Sequence, residues 1–288
     1  MGETEDLTEQ VIEDEDYYQL VNPLEGLMQD QIKITLDNSI DARTGQKRHI
    51  YQYQGVQAKG SVTSVYVDKW LKKIFKTDNR SDIQKIIDLS KAEFGDVVHE
   101  QIQDIIKSWT DADGTKKATQ DTIQPIVDLV IYKKLNNFIQ AVMDQYEPGT
   151  IFKSEVKIFD KKTQIAGSID LLVVMPDGTV EIYDWKTQQV FKDESDIKGY
   201  KEPMYRIQLE NYRKILQLQY GFEKFGRIRA IPIATAFNVK NRMLTSLKNI
   251  EIGSLNPLEI PEDKNYLLPV ALRTETTGDQ RLDNVIEK

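Results

Sequence analysis

The chain has no cysteine, which excludes disulfides, thiolate zinc sites and any cysteine-held iron–sulfur cluster and accords with an intracellular, cytoplasmic protein, or host cytoplasm for a viral one. Long apolar runs are also missing: no stretch approaches the ~18 residues of a membrane-spanning helix, and Met1 opens an acidic segment rather than a signal peptide, so no membrane partner is expected. Only two histidines occur, His49 and His99. There is no internal repeat, and no low-complexity segment beyond the acidic start.

An excess of basic charge is lacking too, the net charge being −8. That figure is local in origin. Residues 1–16 hold eight acids and no base, which leaves 38 acids against 38 bases in the rest. The remainder is free to carry a basic groove. Residues 1–18 read as a disordered acidic tail with a possible protein-partner role. With 288 residues, 40% of them hydrophobic, the chain can bury a real core.

What is present centres on residues 165–188. Ile165–Met175 and Thr179–Thr187 are rich in β-branched and aromatic residues, and Pro176-Asp177-Gly178 between them is turn chemistry, so the segment reads as a β-hairpin. Opposing Met175 to Thr179 and counting outward brings Asp170 opposite Asp184, on one face of the sheet. Lys186 shares that face, roughly 7 Å further along the strand. Two buried carboxylates repel unless a cation lies between them, so the pattern points to a metal site. The acid-x-Lys spacing alone carries little, since Glu155/Lys157, Asp160/Lys162, Asp196/Lys198 and Glu262/Lys264 share it. Gly167 and Ser168 are small enough to let a ligand approach.

Elsewhere, residues 31–37 and 47–54 have strand character around a turn at 41–45. From Ser61, Val67, Trp70, Leu71 and Ile74 fall at helical spacing, with Lys69, Lys72, Lys73 and Lys76 forming a solvated basic side or a phosphate-contacting one. One or two helices are expected over 81–109, and Ile102 and Ile106 turn His99 inward with the apolar stripe. A helix is expected from about Thr119 to Tyr146 with Pro125 in its first turns, then a strand over 151–159, the hairpin, a polar loop at 188–202, a helix over 204–220 and a strand over 228–237. Pro232 argues that this last strand is an edge or bulged. Residues 238–253 add a strand or two. The expected class is α/β or α+β, a mixed β-sheet core flanked by helices: a single domain over 19–253, helical in its N-terminal portion to about 147, with the core sheet from about 151 and an irregular tail over 254–288.

Four short segments carry a family resemblance. Gly95-Asp96-Val97-Val98-His99-Glu100, Gly167-Ser168-Ile169-Asp170, Asp184-Trp185-Lys186-Thr187 and Gln208-Leu209-Glu210-Asn211-Tyr212 resemble, in order, the G-x-x-x-H-E, G-x-x-D, D-x-K-T and Q-x-x-x-Y motifs of RecB-type nucleases in the PD-(D/E)XK superfamily. Ser61-Val62-Thr63 and the Glu155 strand are also similar to the mitochondrial genome maintenance and CRISPR-adaptation exonucleases of that group. The resemblance implies a restriction-endonuclease-like fold and metal-dependent hydrolysis of DNA phosphodiesters, with Mg²⁺ or Mn²⁺ held by His99, Asp170 and Asp184 and the Trp185 carbonyl as a further candidate ligand. It implies further that Lys186 positions or activates water, that Gln208 and Tyr212 orient the site or touch the backbone, and that Glu155 is a supporting acid.

Taken alone His99 reads as a packed core histidine; with the hairpin in view the ligand reading stands ahead. Tyr212 reads equally as core, Gln208 as a surface amide, and Trp70 and Trp109 as packing; His49 is given no role. An exonuclease on DNA ends or single strands, in recombination, repair or replication, stands ahead of two alternatives. These are a nuclease-fold accessory subunit that binds nucleic acid and a structure-specific endonuclease in DNA processing or packaging. No helicase motif is present, so a motor would be a separate chain.

Overall fold

The computed structural model describes residues 22–40, 47–74, 82–189, 201–240, 243–252 and 258–259. The acidic start, residues 190–200 of the polar loop and the tail from 260 lie outside the described residues.

Asn22 begins the first helix, its side chain accepting the Leu24 N–H at 3.0 Å ahead of α1 (Pro23–Gln31), with proline at a first-turn position where its missing N–H costs nothing. β1 (Ile34–Ile40) and β2 (Lys47–Tyr53) pair antiparallel, and β3 (Val56–Gln57) adds a third strand to this small sheet. β4 (Gly60–Ser61) follows, then one π-helical turn over Thr63–Val67 that runs into α2 (Asp68–Ile74). Next come α3 (Asp82–Trp109), α4 (Leu129–Met143), β5 (Ile151–Asp160), β6 (Ile165–Val174), β7 (Val180–Gln189), α5 (Lys201–Tyr220), β8 (Phe225–Lys240), β9 (Met243–Ile252) and β10 (Leu258–Glu259).

β6 lies inside the second, seven-stranded sheet. β5 pairs with it antiparallel over residues 165–174 except at Asp170, while β7 and β4 take residues 171–174 and 165–166. The mixture of parallel and antiparallel pairs, with helices on both faces, is the mixed α/β class expected. Alternation along the hairpin sorts the two faces. Leu172, Val174, Val180 and Ile182 pack with Leu209, Tyr212 and Leu216 of α5. Leu171, Val173, Tyr183 and Trp185 pack with Val98, Ile102 and Ile105 of α3 and with Leu135 and Ile139 of α4. A sheet buried on both sides explains why β6 is apolar almost throughout.

Two expectations change. The helix expected from Thr119 begins only at Leu129: Pro125 disfavours helical backbone in its predecessor, and the Asp128 side chain caps the true start by accepting the Val130 N–H at 2.8 Å. Ile123, Ile126 and Val127 are therefore outside α4, in a segment anchored where the Ile126 N–H donates to Gln101 Oε1 at 2.7 Å. β8 is no edge strand, since it pairs with β7 on one side and with β9 and β10 on the other. Pro232 is tolerated because it falls between two ladders, that of β10 ending at Ala230 and that of β9 starting at Ile233. The hairpin expected from the strand character of residues 31–37 and 47–54 is present as β1–β2, within the N-terminal portion.

That hairpin is fastened to the core through a buried carboxylate. Asp30, 3% exposed, receives the Tyr53 hydroxyl at 3.1 Å and pairs with Lys33 at 3.1 Å and Lys161 at 3.3 Å. The Tyr53 ring stacks on Phe159 of β5 at 4.9 Å.

Candidate active site

The two neighbours of β6 both release it at Asp170. The β5 ladder pairs Ser154 with Leu171 and Val156 with Ile169 but skips the Glu155–Asp170 position between them, and Glu155 has a positive φ of 52°. A non-glycine side chain in this left-handed region is strained by roughly 1–2 kcal/mol. On the other edge, the β7 ladder keeps the register counted from the turn, Val174 with Val180 through Leu171 with Tyr183, and then stops. The Trp185 N–H donates to Asp170 Oδ2 at 2.6 Å. β4 takes up the same edge only at Ala166. Residues 167–170 thus occupy a split in the sheet.

Side chains from five elements meet there. His99 on α3 brings Nδ1 to 3.5 Å from Asp170 Oδ2, and donor atoms of His99, Glu155 and Asp170 all lie within 4.8 Å of one another. Lys186 Nζ sits 2.6 Å from Asp184 Oδ2 and donates to Gln208 Oε1 at 2.9 Å. Gln208 Nε2 in turn donates to the Tyr212 hydroxyl at 2.7 Å, and the Tyr205 ring lies 5.1 Å from the ammonium. Glu155 Oε2 accepts from Ser168 at 3.0 Å. All seven residues singled out from the sequence therefore converge, with Glu155 in the place beside His99 and Asp170 that the sequence reading had given to Asp184. Asp184 stands next to the group, paired with the lysine.

The electrostatics are those of a crowded acidic site. Burial raises the Glu155 carboxyl, and the Asp170 charge raises it further. Burial pushes Asp184 up to about 6, against the opposing pull of Lys186. Asp170 is buried as well, yet His99, Lys186 and the Trp185 N–H together bring it below the usual carboxylate range. Burial lowers His99, but Asp170 outweighs that and raises it to about 9. Burial also lowers Lys186, and Asp184 and Asp170 more than restore it. Lys186 therefore keeps its proton.

A divalent cation fits this donor set. Asp184 Oδ2 is buried, and the group that meets its charge is the Lys186 ammonium at 2.6 Å. Glu155 and Asp170 face each other with only one imidazole between them. Carboxylate oxygens plus one imidazole suit a hard or borderline ion.

Two glycines lock the segments together. A Cβ on Gly95 would meet Thr187 Oγ1 at 2.9 Å, and one on Gly167 would meet Tyr212 Cε1 at 2.7 Å. The space beside Gly167 is thus filled by the tyrosine ring, not left for a ligand. An open cleft of about 1080 Å³ runs over the site, lined by His99, Glu155, Asp170 and Tyr212 on the core side and by Leu36, His49 and Tyr51 on the hairpin side. Sequence reasoning gave His49 no role and passed over Tyr51 and Tyr205. The alternation of His49 and Tyr51 on one strand was the available signal, but nothing in it shows where the hairpin docks. Of the lysines near α2, Lys69 is exposed, and the side chains of Lys72, Lys73 and Lys76 lie outside the described residues. Trp109 packs, its indole N–H donating to Asn136 at 3.2 Å.

The site thus joins acids, one imidazole and a lysine at a split in a mixed sheet flanked by helices. The chain belongs to the PD-(D/E)XK nuclease superfamily, whose family model matches residues 70–245, more than half of its length. Members of that superfamily hydrolyse phosphodiester bonds, typically with divalent metal ions. The nuclease fold implies a nucleic-acid substrate. No protein of curated function and no solved structure matches the chain. Among the described residues, no helix is long and apolar enough to cross a membrane.

Proposed function

We propose that the protein is a metal-dependent deoxyribonuclease of the RecB-like group, acting as an exonuclease on DNA ends or single strands in recombination, repair or replication. The observation that carries this reading is the convergence of His99, Glu155 and Asp170 with the Asp184–Lys186 pair at one split in the sheet. The RecB-like assignment is supported by its four motifs, which pack on one another through Gly95 against Thr187 and Gly167 against Tyr212.

His99, Asp170 and Glu155, with Asp184 beside them, would hold Mg²⁺ or Mn²⁺, which when bound supplies Lewis acidity and a water of lowered pKa. The chain's own part is positional and electrostatic. Lys186, kept protonated, directs an ammonium at the place where negative charge grows on the phosphorus oxygens. Gln208 holds that ammonium and is itself fixed by Tyr212, so the donor does not have to reorganise during the reaction. Trp185 and His99 both bind Asp170 Oδ2, which fixes the carboxylate at the centre.

The test is digestion of end-labelled linear single- and double-stranded DNA beside a closed circle, in Mg²⁺, Mn²⁺ or chelator, with wild type and Lys186→Ala. Metal-dependent shortening from the ends, lost in the variant, is expected. Chelator-resistant cleavage or a fully active variant overturns the mechanism. Cutting of the closed circle overturns the exonuclease assignment, and metal-dependent binding without any cleavage points to an accessory protein.

A further inference from the structure

The β1–β2 hairpin turns one face toward the acids. Residues alternate across a strand, and on β2 His49 and Tyr51 both line the cleft, as does Leu36, the ladder partner of Tyr51 on β1. The Tyr51 ring belongs to a small apolar cluster with Ala58, Phe159 and Ala166, so its direction is fixed by packing. Only 7% of the residue is exposed. Among the described residues no protein group hydrogen-bonds its hydroxyl, which is not among the fully buried polar atoms and so opens on the cleft, where a tyrosine hydroxyl ordinarily takes a partner.

One oxygen of each nearby carboxylate is already engaged, Glu155 Oε2 by Ser168 and Asp170 Oδ2 by Trp185 and His99. A phenol is a neutral donor. Set in the wall of a cleft over a metal-type site, it fits a phosphate oxygen, which accepts hydrogen bonds without imposing base identity. We infer that Tyr51 is a substrate-positioning residue that donates a hydrogen bond to a backbone phosphate of the nucleic-acid strand from the hairpin side of the cleft. This rests on the nuclease reading above, and it assigns the N-terminal hairpin a part in holding substrate.

The experiment compares wild type with Tyr51→Phe, which keeps the ring and its packing. KM and kcat are measured on an end-labelled single-stranded oligonucleotide in Mn²⁺, and Mn²⁺ affinity is measured separately by calorimetry. KM is expected to rise about 10- to 150-fold, the loss of one hydrogen bond to a charged acceptor, with kcat and Mn²⁺ affinity unchanged. A fraction of unfolded protein would lower kcat and leave KM alone. An unchanged KM overturns the assignment, and so does weakened Mn²⁺ binding with KM intact, because the hydroxyl would then serve the carboxylates. If wild type cleaves nothing, oligonucleotide affinity by fluorescence anisotropy decides. Weaker binding by Tyr51→Phe keeps the positioning role while the nuclease reading falls, and a wild type that neither cuts nor binds overturns both.

Discussion

Tyr212 leans over Gly167 so closely that a Cβ on the glycine would lie 2.7 Å from Tyr212 Cε1. The glycine therefore sets how deep the tyrosine sits, and through Gln208 how Lys186 is held.

Gly167→Ala should push the ring outward and break the Tyr212–Gln208–Lys186 chain. Overpacking of this kind costs about 1–3 kcal/mol, and misplacing a catalytic group by about 1 Å costs on the order of 100-fold in rate. The prediction is a modest fall in melting temperature with a disproportionate fall in kcat, read from thermal melts and cleavage rates side by side. A variant that melts early yet cleaves normally would separate packing from positioning.

Glu155→Gly should divide stability from metal binding. The substitution relieves the positive φ of Glu155, worth roughly 1–2 kcal/mol, and removes a carboxylate that Asp170 repels. Against this stands the greater freedom of glycine in the unfolded chain, about 0.4–1 kcal/mol. In chelator the variant should melt at or above the wild-type temperature. With Mn²⁺ added, wild type should rise by mass action and the variant much less. Equal rises in the two proteins would remove Glu155 from the metal site.

What could be read from the chain and what could not divides along physical lines. The hairpin register was legible because Pro176-Asp177-Gly178 defines the turn and a strand alternates faces strictly. That arithmetic put Asp170, Asp184 and Lys186 together. Gln208 and Tyr212 were legible as one helix face. The break in the β5 ladder at Glu155 was not, since its backbone strain is imposed by tertiary contacts that no local pattern records. The same holds for Tyr51: the strand was visible, but its docking depends on Asp30 meeting Tyr53 and Lys161 from other parts of the chain. The overlong helix before Leu129 came from counting apolar residues through Pro125.

The His99–Asp170 pair predicts a pH dependence in two senses. In the metal-free protein His99 is raised from an ordinary value near 6.5 to about 9. Protonation is thus favoured by folding, so its stabilisation is complete below about 6.5 and is lost as pH rises through about 9. Metal ligation needs the neutral imidazole. At pH 7, Mn²⁺ binding should therefore release about one proton, measurable as a dependence of the calorimetric heat on buffer ionisation enthalpy, and affinity should climb with pH until about 9. His99→Gln should abolish the proton release. Unchanged release in that variant would assign the proton to another group.

Gln31 supports the site from outside it. Its side chain accepts the Lys157 N–H at 2.8 Å and donates to the Lys157 carbonyl, so one amide acts as a short neighbouring strand along β5. Lys157 is two residues from Glu155, and the clamp holds the edge of β5 next to the position where the ladder is interrupted. Gln31→Leu would keep the bulk and remove both bonds, leaving a part-buried N–H and carbonyl without partners, at a cost of about 1–3 kcal/mol. The expected result is a lower melting temperature in chelator, with faster amide exchange at Lys157 than elsewhere on β5. Exchange at Lys157 equal to wild type would show that β5 holds its shape unaided.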